Sequence, residues 1–180
     1  MYSLFNEFKE IESDKYLLRK ISYSDSRDIL EMYSDEDVMK FNSGQKISYI
    51  EDIIKLIDVI DKGFEKKWFI RWGVIEKSTN EYLGDLALHH FDENENENKV
   101  QIGYMLKKAH WNKGIMSEAA PLLINHVSES TPVQTIEAHI YPQNTASIKL
   151  AEKLGFKFKE LSSDDKDKNK VRVIYSMKLR

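Results

Sequence analysis

A single domain of mixed α/β (α+β) architecture is what this sequence predicts, and three observations carry the prediction. The chain has 180 residues and neither an internal repeat nor a Pro/Gly/Ser-rich linker, so residues 1–180 are read as one domain. Runs of period-2 alternation rich in β-branched and aromatic residues are interleaved with runs of period 3.6. In the second half the order is strand, helix, strand, helix, strand, which implies parallel neighbours joined by right-handed crossovers within a mixed sheet.

Each element has its own local reason. Leu4, Phe8 and Ile11 share helical spacing, which suggests a short N-terminal helix, and Tyr16–Lys20 reads as a first strand. Asp25 is placed to cap a helix running to about Ser34. Ser48-Tyr-Ile-Glu51 has the form of a capping box, in which hydroxyl and carboxylate each satisfy an orphan amide. Behind it Ile50, Ile53, Ile54, Ile57 and Ile60 form an apolar stripe, and Gly63 is the expected stop. Trp68–Ile75 and Tyr82–Phe91 are strand runs joined by hairpin chemistry at Lys77-Ser-Thr-Asn-Glu81. Further strands are expected at Lys99–Leu106, Thr135–Tyr141, from Phe156, and at Val171–Leu179. Helices are expected at about Gly114–Ser128 and Asn144–Leu154. The polar runs Asp92–Lys99 and Ser162–Lys170 read as solvated loops.

Composition narrows the chemistry. With no cysteine there are no disulfides, no thiolate metal site and no cysteine acyl-enzyme, which fits a reducing cytoplasm. The 27 basic and 30 acidic side chains leave a net charge of −3, which argues against a bulk electrostatic grip on nucleic acid. No stretch approaches the roughly 18 apolar residues of a membrane span, and no membrane partner is expected. No histidine or carboxylate spacing matches a zinc site, so no metal is assigned.

Two segments carry chemistry. In Ile102-Gly-Tyr-Met-Leu-Lys-Lys-Ala-His-Trp-Asn-Lys-Gly-Ile-Met-Ser-Glu118 a strand ends, a turn follows, and a helix opens at Asn112-Lys-Gly114. Such a helix start offers unpaired amides and the positive end of the dipole to an anion; Gly114 permits close approach and Lys113 adds charge. It is neither a P-loop nor the three-glycine dinucleotide fingerprint. The second segment is Tyr141-Pro-Gln-Asn-Thr-Ala-Ser-Ile-Lys-Leu-Ala-Glu-Lys-Leu-Gly-Phe156. Here Asn144 and Gly155 are explained locally as helix caps. Asn144 also lies just past a strand parallel to the one holding Tyr104, and ligands gather at the C-terminal ends of parallel strands.

Taken together, these segments resemble the GNAT superfamily of acetyl-CoA-dependent N-acetyltransferases, and within it the RimJ/RimL-like branch. The resemblance extends over nearly the whole chain, through Leu18–Asp25, Tyr33–Met39, Gly84–Leu88, Ile102-Gly-Tyr104, Trp111–Gly114, Asn144–Ser147 and Lys153–Phe156. It implies a largely antiparallel central sheet with one splayed parallel strand pair and flanking helices. It also implies pantetheine lying along Tyr104, Met105 and Leu106, with pyrophosphate on the amides of Asn112, Lys113, Gly114, Ile115, Met116 and Ser117. Asn144 would bond the pantetheine, and Ser147 would lie near the sulfur. Three positions depart from the family pattern: Trp111 where Gln or Arg is usual, Met116 where a small residue is usual, and Ala151 where many members carry the tyrosine that protonates the thiolate. Ser147 is therefore the remaining general-acid candidate.

An amine attacks a thioester only when unprotonated, and an α-amine (pKa about 8) needs less help than a lysine (about 10.4). Lacking a cysteine or a Gly-x-Ser-x-Gly elbow, the chain is expected to use direct attack in a ternary complex, with a backbone N–H near Met105 as oxyanion donor by resemblance. Gln101 stands where the branch often has glutamate and cannot accept a proton. Glu137, His139 and Tyr141 alternate onto one strand face, and His139, or Glu137 through water, is the candidate base. His89 and His90, adjacent on a strand, are expected on opposite faces; His110 and His126 are expected at the surface or in packing. The expected partners are acetyl-CoA and an amine, first a peptide or protein N-terminus and next a polyamine, aminoglycoside or other small amine. A homodimer is compatible with the sequence. A non-catalytic acyl-CoA-binding module and a domain that binds no CoA are the rival readings.

Overall fold

The chain begins with one 3₁₀ turn, Tyr2–Phe5, and then two short strands, β1 (Ile11–Glu12) and β2 (Tyr16–Lys20). Helices α1 (Ser26–Ser34), α2 (Glu36–Met39) and α3 (Ile50–Glu65) follow, and after them the long hairpin β3 (Phe69–Glu76), β4 (Glu81–Glu93) and β5 (Asn98–Leu106). The second half alternates α4 (Ile115–Ser130), β6 (Thr135–Ile140), α5 (Thr145–Lys153), β7 (Lys157–Asp164) and β8 (Asp167–Lys178). The computed structural model describes residues 2–42, 44–93, 98–164 and 167–179.

Among the described residues eight strands form one sheet in the order β1-β2-β3-β4-β5-β6-β8-β7. β5 and β6, joined by α4, pair in parallel and every other neighbour is antiparallel, as the strand–helix–strand reading and the resemblance predict. The crossover from β6 through α5 reaches β7 with β8 inserted between them. Two cores cover the two faces. Leu86, Leu88, Val100, Ile102, Ile136, Ala138 and Ile140 pack with Ala119, Leu123 and Val127 of α4 and Ala151 of α5. On the opposite face Ile29, Met32 and Tyr33 of α1 join Ile53, Ile57 and Ile60 of α3. Among the described residues no helix is long and apolar enough to cross a membrane.

Several local expectations are corrected. The N-terminal apolar residues do not form an α-helix: Leu4 and Phe5 plug one core from a single 3₁₀ turn, and Ile11 belongs to β1. The Ser48–Glu51 capping box is not used, because α3 starts at Ile50 with Tyr49 as an N-cap that lends no side-chain bond. Nor does Gly63 end α3. The helix continues to Glu65, and Gly63 is needed where it stands because a Cβ there would lie 2.4 Å from the Phe69 ring. Asp25 holds the N-cap position of α1 as expected, but its side chain makes no capping bond there. Its carboxylate is taken by Arg19 (2.7 and 2.8 Å) and by the Ser22 amide (2.8 Å). Much of Ser162–Lys170 is strand rather than loop, since β7 runs to Asp164 and β8 starts at Asp167. Of the Asp92–Lys99 run, Asp92 and Glu93 belong to β4 and Asn98 and Lys99 to β5; residues 94–97 lie outside the described residues.

Candidate active site

The parallel contact between β5 and β6 is short. It pairs Lys99 with Thr135, Val100 with Ile136 and Gln101 with Glu137, then stops, although β5 continues to Leu106 and β6 to Ile140. Beyond that point the strands part, and a cleft of about 1040 Å³ opens between them. It is lined by Tyr104, Met105 and Leu106, by Ala138, His139, Ile140 and Tyr141, and by the starts of α4 and α5.

Backbone parity decides which amides face the gap. Asn98 O accepts from Gln134 N (2.9 Å) on the β6 side, whereas Lys107 N donates to Leu83 O (2.9 Å) on the β4 side. In an extended strand N–H and C=O of alternate residues point to alternate edges. The even-numbered residues of β5 therefore turn their main chain toward β6. Tyr104 and Leu106 present N–H groups to the cleft, while Met105, in register with Asp85, is turned toward β4. Of the amides around Met105, where an oxyanion donor is expected, those of Tyr104 and Leu106 face the cleft and that of Met105 does not. Gly84 keeps β4 this close, because a Cβ there would stand 2.1 Å from Met105 O.

The turn between β5 and α4 is anchored from both sides. Lys107 Nζ reaches Asp28 and Glu31 of α1 (both 2.9 Å), and Lys108 Nζ reaches Asp37 (2.6 Å). His110, expected at the surface or in packing, is buried with Nε2 2.9 Å from Glu81 Oε1. Trp111 turns its indole N–H back to Leu106 O (3.1 Å). Asn112 and Gly114 adopt left-handed φ of 60° and 78° on either side of exposed Lys113, and open space surrounds the Gly114 Cβ position. As N-cap of α4, Gly114 has no side chain to satisfy the first amides, Ile115 and Met116 among them, so these remain available to an anion. Met116, the bulky departure, is buried in the core, and Ser117 is half-buried.

At α5, Asn144 caps the helix by accepting from Ser147 N (3.2 Å) through Oδ1, which leaves its Nδ2 to donate elsewhere. Ser147 Oγ lies 2.5 Å from the Tyr104 hydroxyl. Burial raises the Tyr104 pKa, partly offset by the Ser147 bond, so the phenol remains a donor at neutral pH. Ala151, where a catalytic tyrosine was missing, is buried one helical turn further on, and the strand delivers a phenol to the same helix instead. Sequence reading gave Tyr104 only a cofactor-lining role; its link to Ser147 needs the register of β5 against α5.

On the other side of the gap, His139 Nε2 is 3.0 Å from Glu137 Oε2, and Lys159 Nζ holds Glu137 Oε1 at 2.8 Å. Burial alone would raise the Glu137 pKa, but the bonds from His139 and Lys159 and the nearby lysine charges outweigh it and hold the carboxylate below its ordinary value. His139 is thereby oriented by its Nε2, and it lines the cleft. His89 and His90 correct an expectation. A register shift between His89 and Asp92, with His90 at φ 51°, brings the two Nδ1 atoms to 2.6 Å instead of sending the rings to opposite faces. Both line the cleft, and the His89 pKa is pushed down to about 4 by burial and by His90, Arg71 and His139. Among the described residues no group of three or more His, Asp or Glu is arranged to hold a metal. Sequence reading also missed Arg71 and Asp85, which belong to separate strand runs and meet only through the hairpin register.

A strand pair that parts in front of an uncapped helix is the arrangement that the resemblance implies, and known proteins supply the family. Residues 15–157 match the acetyltransferase (GNAT) domain family, and the chain belongs to that family: it is an N-acetyltransferase. It is 30% identical to the uncharacterized N-acetyltransferase p20 of Bacillus licheniformis over 171 residues, 93% of each chain. Among solved structures it shares the fold of a GNAT-family acetyltransferase from Bacillus anthracis (24% identity, TM-score 0.79, 95% of this chain and 99% of that one). It shares the fold also of RimL, a ribosomal L7/L12 alpha-N-protein acetyltransferase in complex with coenzyme A (18% identity, TM-score 0.80, 94% and 98%).

Proposed function

We propose that this N-acetyltransferase takes the acetyl group of acetyl-CoA and transfers it to the free N-terminal amine of a peptide or protein by direct attack in a ternary complex. The observation that carries the reading is the parting of β5 from β6 beyond Gln101 and Glu137, directly in front of the uncapped start of α4. Pantetheine lies along Tyr104–Leu106 in place of the missing strand pairing, with Asn144 Nδ2 as a donor to it. The pyrophosphate sits on the main chain of Asn112–Ser117 beside Lys113. Binding by main-chain donors suits a carrier whose diphosphate and amide groups are constant while its acyl cargo is small.

His139, aligned by Glu137, takes the proton that the amine must lose, and the amine lone pair then attacks the thioester carbon. The Tyr104 and Leu106 amides stabilise the charge that builds on the carbonyl oxygen. As the C–S bond breaks, Ser147, backed by the Tyr104 phenol, gives a proton to the thiolate. The likeness in fold to RimL, an alpha-N-protein acetyltransferase, supports a peptide acceptor ahead of a polyamine or aminoglycoside.

Acetyl-CoA is incubated with the protein and with peptides whose N-terminus is free or blocked, beside spermidine and an aminoglycoside, and thiol release and product mass are followed. The expected result is a mass gain on the free N-terminus alone and none on the protein. Turnover of spermidine or the aminoglycoside in preference to every peptide would replace the acceptor. Saturable acetyl-CoA binding with no turnover would leave an acyl-CoA-binding module.

A further inference from the structure

The register of the β3–β4–β5 ladder assembles a second feature in the cleft, apart from the carrier groove. Arg71 faces Ala87, Gly73 faces Asp85, Asp85 faces Met105, Ala87 faces Gly103 and His89 faces Gln101. Residues opposed in a ladder share a face. Arg71, Asp85, Ala87, His89 and Gly103 therefore lie together, and all five line the cleft. Ala87 and Gly103 have almost no side chain, so the sheet is hollow between Asp85 and His89. The hollow is tight at one end, where a Cβ on Gly103 would come within 3.2 Å of His89 Nε2.

Asp85 is only 4% exposed, and its internal partners do not account for it. Tyr82 OH (3.4 Å) and Arg71 Nη1 (3.5 Å) both approach the same oxygen, Oδ2, and neither closely. Arg71 Nη1 makes its short bond to Tyr33 OH instead (2.7 Å), and Arg71 Nε is buried with no partner. Asp85 Oδ1 accepts no hydrogen bond from any described residue. Among the described residues the buried side-chain atom left without a partner is Arg71 Nε, while Asp85 lines the cleft with its Oδ1 free of any donor from them.

We propose that Asp85 Oδ1 is the seat of the acceptor's ammonium group: a primary amine arrives protonated and docks over Ala87 and Gly103 with its charge against this oxygen. Two opposing influences set the charge on Asp85, and Arg71 is the cation that the guest must share it with. Burial raises its pKa, against the pull of Arg71 on β3 and Tyr82 on its own strand. His89, at about 4, is uncharged near neutral pH and does not repel the guest. Once seated, the ammonium loses one proton to the base; its lone pair forms the C–N bond as the C–S bond breaks, and the second proton shed by the attacking nitrogen ends on the thiolate, which leaves as free CoA. The seat rests on the transferase reading above and extends it to acceptors that are cationic primary amines.

The test uses one glycyl peptide in two forms, with its ordinary N-terminal amine, a cation near neutral pH, and with an aminooxy group there, which is neutral. Asp85→Asn is expected to lower kcat/KM about 30-fold for the amine form and less than about threefold for the aminooxy form, with acetyl-CoA affinity unchanged. Equal losses on the two forms would make Asp85 merely structural, and no loss on either would remove it from the site; both overturn the seat and leave the transferase reading standing. If Asp85→Asn does not fold, Ala87→Val fills the hollow instead. It should raise the peptide KM at unchanged acetyl-CoA affinity, and an unchanged KM overturns the proposal. A wild-type protein that binds acetyl-CoA yet acetylates neither form sinks the acceptor reading and the seat together.

Discussion

The two walls of the cleft are built in different ways. The wall proposed for the acyl carrier is mostly main chain: the Tyr104 and Leu106 amides, the left-handed turn at Asn112 and Gly114, and the bare first turn of α4. The wall proposed for the amine is mostly side chain, with Arg71, Asp85, His89, Glu137 and His139 drawn from three strands. A main-chain site depends on the course of the backbone and tolerates loss of individual side chains. A side-chain site depends on each residue it uses. The difference can be broken by substitution, and the expected effects fall in order.

The largest belongs to Gly84. A methyl there would stand 2.1 Å from Met105 O and 2.8 Å from Leu106 Cα, so Gly84→Ala must push β4 from β5 where β5 turns its amides to the cleft. We expect a stability loss of about 3 kcal/mol in denaturant titration and a fall in acetyl-CoA affinity by calorimetry. Undisturbed affinity would mean that the carrier does not use this stretch of main chain.

Next come the side chains of the amine wall. His139→Ala should lower kcat about 100-fold at unchanged acetyl-CoA affinity. Glu137→Gln should lower it less and has a signature in stability. Because the folded-state pKa of Glu137 lies below its ordinary value, the carboxylate's contribution is complete above an unfolded-state pKa near 4.5 and drains away as pH falls through the folded value. The stability gap between wild type and Glu137→Gln should therefore be full at neutral pH and close on acidification. A gap that widens in acid would contradict the bonding described for Lys159 and His139.

The pair that straddles the two walls is smaller in effect. Tyr104→Phe and Ser147→Ala should each cost about tenfold in kcat, and the double substitution little more than one alone, since the hydroxyls act in series. Full additivity would separate them. Asn144→Ala should lower the melting midpoint by the equivalent of about 1 kcal/mol for the lost cap, with a further loss of acetyl-CoA affinity if Nδ2 serves the carrier. Least of all, Lys113→Ala should weaken acetyl-CoA less than about threefold, and added salt should erase the difference, as befits an exposed charge.

The same division explains what could be read from the residues. Strand and helix positions, the parallel β5–β6 pair and the caps at Asn144 and Gly155 follow from local spacing and backbone chemistry, and so the main-chain wall of the cleft was legible. Asp85, Arg71 and the Tyr104–Ser147 contact were not, because each depends on register between elements far apart in sequence. Strict alternation misplaced His89 and His90, because a bulge is invisible to a period-2 pattern. Gly63 misled for a related reason: glycine signals a helix end when read locally, but here it makes room for Phe69.

Amide hydrogen exchange resolved residue by residue, with and without saturating acetyl-CoA, tests the central claim most directly. The carrier should slow exchange at Tyr104, Leu106 and the amides that open α4, and leave Met105, already turned toward β4, unchanged. Saturation of the protein with no added protection at Tyr104 or Leu106 would contradict the account.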